Sequence, residues 1–179
     1  DLLQYFNLDG NDYQVIFTSG STEGLNIVLQ SVFLNSAKNG IISSSLEHKA
    51  VLDTLGFLQT IGADLTLVNH DINGVISMED LREEIDQHVA LVSIMHVNNE
   101  IGNINDINGI SNICREYRVP FICDTTQSVG KIGFEGELFD AFVGSAHKFG
   151  GPFGVGFLIM KKGLVTRPLQ YGGKQESAL

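Results

Sequence analysis

Several short polar clusters stand out because apolar runs lead into them. Thr18-Ser19-Gly20-Ser21-Thr22-Glu23 opens a helical pattern. Small residues let a backbone approach an anion, and a helix start offers unpaired N–H groups beside the hydroxyl donors. A phosphate is the natural guest, although an N-cap and turn would account for the same residues. The run is not a Walker loop, since no Gly-Lys-Thr follows, nor a GxGxxG. Glu47-His48, Asn98-Asn99-Glu100 and Asp124-Thr125-Thr126-Gln127 each follow an apolar run. Asp124 comes directly after Phe121-Ile122-Cys123 and is costly to bury without a cation. Capping of the next turn is the plainer role for it. Lys148 lies between an apolar run and the turn Gly150-Gly151-Pro152. A lone lysine is ordinarily solvated. In a desolvated or cationic pocket its amine becomes a nucleophile for carbonyls.

An anion cradle, a buried Asp and a pocket lysine are what a pyridoxal phosphate (PLP) site requires. The amine makes a Schiff base, the carboxylate keeps the ring nitrogen protonated, and the cradle anchors the phosphate. The other titratable residues read as structural. His70 and His88 fall at solvated turns or helix ends, and His96 reads as a satisfied core histidine. Glu79, Asp80, Glu83 and Glu84 form a solvated acidic helix face. Cys114 and Cys123 read as inert core thiols, and no His, Cys or carboxylate spacing suggests a metal.

The elements that must position these clusters follow from periodicity. β-rich runs fall at 13–18, 41–43, 65–68, 90–95, 119–124, 141–144 and 155–160. Helical spacing falls at 23–34, 49–60, 104–117 and, opened by a capping-box pattern at Ser77-Met78-Glu79-Asp80, through Ile85. The 90–95 run is continuously apolar, as for a strand buried on both faces. Strands alternating with helix-length segments predict an α/β fold, a mostly parallel sheet flanked by helices. Ligands of such sheets bind outside the carboxyl ends of the strands, where the polar clusters sit.

The ordered motifs Thr18 through Glu23, Glu47-His48-Lys49-Ala50-Val51-Leu52, Ser93-Ile94-Met95-His96-Val97-Asn98-Asn99-Glu100-Ile101-Gly102, Asp124 through Lys131 and Ser145-Ala146-His147-Lys148 resemble those of the cysteine desulfurases. These are NifS/IscS-like enzymes of the class V aminotransferase family. The resemblance implies a PLP-dependent transferase fold of type I, a seven-stranded mixed sheet forming the large domain. It implies that Lys148 bonds PLP, with His48 beside it as the second catalytic residue, stacking on the ring and shuttling protons. Asp124 would pair with the ring nitrogen and Gln127 with the phenolic oxygen. Ser21, Thr22, Ser145 and His147 would bind the phosphate, and Asn99 would lie near the substrate and a cofactor oxygen.

The implied reaction converts L-cysteine to L-alanine and hands the sulfur on as a persulfide. A sulfur-acceptor or scaffold protein in iron–sulfur cluster assembly or tRNA thiolation would receive it. A homodimer is the implied assembly. Family members are about twice this length, so residues 1–179 are expected to be a large domain truncated at both ends, without the small C-terminal domain. Tyr171-Gly172-Gly173-Lys174-Gln175-Glu176 matches the lead-in to a further phosphate contact. No segment matches the loop carrying the persulfide cysteine, so the chain alone is expected not to turn over cysteine. A selenocysteine lyase or other class V aminotransferase, and a non-catalytic PLP-fold interaction fragment, are the competing readings.

Composition narrows the partners. With 21 acidic against 11 basic residues the net charge is −10, which disfavours nucleic acid and anionic membranes. No apolar run approaches the ~20 residues of a membrane span. The opening Asp1-Leu2-Leu3-Gln4 lacks a secretory pattern. Two cysteines are too few for a disulfide framework, and a cytoplasmic location is expected.

Overall fold

The computed structural model describes residues 2–165, so the 171–176 run lies outside the described residues. The chain runs α1 (Leu2–Tyr5), β1 (Tyr13–Thr18), α2 (Ser21–Asn35), β2 (Gly40–Ser44), α3 (Lys49–Thr60) and β3 (Asp64–Val68). It continues through α4 (Met78–Glu84), β4 (Val89–Ser93), α5 (Ile107–Tyr117), β5 (Phe121–Asp124), β6 (Ala141–Ser145) and β7 (Gly156–Lys161). The strands form one sheet in the order β1-β7-β6-β5-β4-β2-β3. β6, β5, β4, β2 and β3 pair in parallel, while β7 runs antiparallel to both β1 and β6. Residues 146–155 explain that reversal. They are too few for a parallel crossover, which takes a dozen or more residues, so the strand returns beside its predecessor.

Side chains alternate across the sheet, and each face builds a core. Phe142 joins Phe6, Phe121, Phe139 and Phe157 on one side. Val143 and Leu158 join Leu25, Leu29, Leu55 and Leu58 of α2 and α3 on the other. Every residue of β4 is buried, which is why its sequence shows no alternation.

Three boundaries depart from periodicity for local reasons. The helix expected from 104 begins at Ile107, because Asp106 caps it by accepting from the Gly109 N–H at 3.0 Å. Ile104 is instead bridged to Val97 and half exposed. Pro120 precedes rather than joins β5, though its carbonyl accepts from the Val92 N–H at 2.9 Å. At Ser77–Asp80 only half a capping box forms: the Ser77 hydroxyl accepts from the Asp80 N–H at 3.2 Å and donates to the Asp80 carboxylate.

His96 corrects an expectation. It is buried with Phe134 at its ring edge, but Nδ1 has no hydrogen-bond partner. Burial pushes its pKa down, so the core holds a neutral, unsatisfied imidazole. Among the described residues no helix is long and apolar enough to cross a membrane.

Candidate active site

The turn between β1 and α2 lies against β7 at the carboxyl end of the sheet. A Cβ on Gly156 would stand 2.5 Å from the Gly20 Cα and 2.8 Å from the Gly144 carbonyl oxygen, so only glycine allows this approach. Gly20 then occupies the N-cap of α2 and brings no side chain of its own to cap the helix. Ser19 turns away to Glu23, whose carboxylate accepts from both its N–H and its hydroxyl. Those bonds hold the Glu23 carboxyl below its ordinary range. The segment thus forms an N-cap and turn in which Gly20, rather than a Ser or Thr, is the N-cap.

A cavity of about 250 Å³ opens above this helix start, and all nine residues singled out from the sequence line it. Its floor is buried. There the Ser21 N–H donates to Ser145 Oγ at 2.7 Å, the two hydroxyls lie 2.9 Å apart, and Thr126 Oγ1 donates to Ser21 Oγ at 2.6 Å. Thr22 and His147 stand exposed at the same end, and the His147 ring stacks on Phe153 with centroids 4.9 Å apart. Hydroxyls, an imidazole and the start of a 15-residue helix converge here. Such a set suits an anion.

The same lining carries a carboxylate, linked to the Ser21 hydroxyl through Thr126. Asp124 ends β5, and its Oδ1 accepts from the Thr126 N–H at 2.9 Å. Burial pushes its pKa up, opposed by the Thr126 bonds and by the charges of His48 and Lys148. Gln127 is half buried, with Oε1 accepting from Lys131 Nζ at 3.2 Å. His48 is the N-cap of α3, its Nδ1 accepting from the Ala50 N–H at 3.1 Å. That bond assigns the ring proton of the neutral imidazole to Nε2. Buried Asn98 donates to the Leu46 carbonyl oxygen and accepts from the N–H groups of Glu100 and Ile101, folding the loop that carries Asn99.

Lys148 lines the cavity on the 3-10 turn after β6, but its side chain is exposed. The expectation of a desolvated amine is thus not met in the described residues, because this turn forms the rim rather than the floor. Four lining residues were not singled out from the sequence: Leu25, Ala50, Met95 and Thr126. Thr126 carried a signal, since it stands within the Asp124–Gln127 cluster. The other three are apolar and indistinguishable from core residues without the fold.

These residues fit PLP. A buried carboxyl whose ionisation is penalised needs a cation, and a protonated ring nitrogen is one. The start of α2, whose Gly20 N-cap has no side chain, and the hydroxyls beside it suit an anion, and a phosphate is one. Cys114 and Cys123 are both buried, with burial pushing the first thiol up to about 12 and the second well above its ordinary value.

Residues 4–178 match the family model described as "Aminotransferase class-V". The chain is 42% identical over 172 residues to cysteine desulfurase IscS of Buchnera aphidicola subsp. Schizaphis graminum, covering 93% of this chain and 43% of that one. Among solved structures, a NifS-like protein superposes with a TM-score of 0.91 at 36% identity, covering 97% of this chain and 49% of the other. SspA in complex with cysteine superposes with a TM-score of 0.89 at 33% identity, covering 97% and 51%. The chain thus spans about half or less of the length of these relatives.

Proposed function

The chain belongs to the class-V aminotransferase family, and on that premise we propose that it is the PLP-binding core of a cysteine desulfurase. One observation carries the reading: residues from five separate segments meet in one cavity, with anion-seeking groups at Ser21 and a cation-seeking group at Asp124. PLP, when bound, supplies an electron sink for charge developing at the α-carbon of an amino acid.

The chain's own residues do the rest. The α2 amides with Ser21, Thr22, Ser145 and His147 grip the phosphate. Asp124 would hold a proton on the ring nitrogen, and Gln127 would donate an amide hydrogen to the phenolic oxygen. His48, with its proton at Nε2, would lie against the ring. Lys148 would hold the cofactor through its amine and carry protons at its Nζ, while Asn99 would border the substrate. L-cysteine is the proposed substrate, with alanine as product and sulfur handed to an acceptor or scaffold protein. The relative solved with cysteine supports that substrate class. We place this activity in a cytoplasmic homodimer of the longer protein.

Incubation with PLP tests the reading. An absorbance band near the visible edge should appear, be trapped by borohydride, and be missing in Lys148→Ala. A parent chain without the band would overturn it and favour a non-catalytic fold fragment. Alanine release from L-cysteine by the full-length protein separates a desulfurase from an aminotransferase or a selenocysteine lyase.

A further inference from the structure

Glu47 is a buried carboxylic acid outside the cavity lining, and no role has been assigned to it so far. It is 6% exposed and sits at the junction between β2 and α3, next to His48. Its Oε1 accepts from the Met95 N–H at 2.8 Å, just past the end of β4, while Oε2 has no hydrogen-bond partner within ordinary distance. The Ser44 hydroxyl is the polar side chain beside the carboxyl. Met95 and His48 both line the cavity; Glu47 does not. The charge of Asp124, a second buried carboxyl, acts on it.

We propose that Glu47 is a positioning residue that ties the His48 junction to the end of β4 from beneath the cavity, so that His48 and Met95 hold a fixed separation around the cofactor. This rests on reading the cavity as a PLP site. Two buried carboxyls within electrostatic reach of each other disfavour each other's ionisation. The Lys148 charge favours the ionised form at Asp124 rather than at Glu47. Burial and the Asp124 charge both push the Glu47 pKa up. A neutral acid keeps the acceptor for Met95 and adds no second anion to compete for the ring-nitrogen proton.

Glu47→Gln keeps the acceptor and the neutrality, whereas Glu47→Asp withdraws the acceptor by one methylene. Two readouts on the chain without cofactor come first: hydrogen exchange of the Met95 amide, and the His48 imidazole resonances, assigned by difference with His48→Gln. In Glu47→Asp the Met95 amide should exchange about tenfold faster, equivalent to about 1.4 kcal/mol, and the His48 resonances should shift. Glu47→Gln should leave both at parent values. In a second arm, PLP affinity should fall severalfold in Glu47→Asp and hold in Glu47→Gln. The inference is overturned if Glu47→Asp moves neither apo readout, if Glu47→Gln loses as much as Glu47→Asp, or if the junction loosens while PLP affinity holds. A parent chain that binds no PLP would instead sink the cofactor reading, and the apo arm would still decide the tie.

Discussion

At the scale of single residues, the cavity sets hydroxyls at the start of α2 and one buried carboxyl, Asp124, in the same lining, with Glu47 buried outside it. Thr22→Ala removes one donor to a charged group, worth about 1–3 kcal/mol. PLP affinity should fall by that amount while affinity for pyridoxal, which lacks the phosphate, stays at the parent value; titration of both ligands checks it. Glu47 makes a separate prediction about stability. A carboxyl whose folded pKa is raised contributes stability that is complete below its ordinary value of 4.5 and lost as pH rises through the raised one. Glu47→Gln cannot suffer that loss. Urea unfolding of the apo chains should therefore show near-equal stability at pH ~4 and a growing advantage for Glu47→Gln toward pH ~8. A constant difference across that range would contradict the buried-acid assignment.

At the scale of elements, the cradle exists because three backbones approach closely. α2 lies so near the sheet that a Cβ on Gly24 would stand 2.9 Å from Val143 Cγ1, and Gly156 meets Gly20 even more tightly. The neighbour at Gly24 is a side-chain methyl able to yield; at Gly156 it is backbone. Gly156→Ala should thus cost at least the upper end of the ~1–3 kcal/mol typical of overpacking. It should also lift the β1–α2 turn and weaken PLP binding. Thermal unfolding and PLP titration read the two effects, and an unchanged affinity would show that the turn does not depend on this contact. Much at this scale was legible beforehand: β1 and α3 begin and end where periodicity put them. The start of α5 was not, because the 104–107 apolar spacing continues smoothly while the Asp106 cap and the Val97–Ile104 bridge decide where the turns begin.

For the whole molecule, the two cysteines limit what this chain does by itself. Cys114 and Cys123 sit within the core with thiols pushed up, and a thiol rather than a thiolate is a poor nucleophile. A thiol reagent should find no fast-reacting group in the native chain and two after unfolding. L-cysteine should leave no persulfide on either residue, and mass spectrometry that found one would contradict the burial. The sequence by itself determined the alternation of strands and helices, because period-2 and period-3.6 patterns are local. It also supplied the polar clusters at strand ends, since polar groups after apolar runs stand out along a chain, and the resemblance to a known family picked nine residues from them. Only the tertiary structure decided which of these groups face one another. It paired Ser21 with Ser145 and Thr126, drew Met95 into the lining, buried Glu47 within electrostatic reach of Asp124, and left the Lys148 amine at an exposed rim. Burial and proximity are sums over segments more than a hundred residues apart, as with Ser21 and Ser145, and no local pattern encodes such a sum.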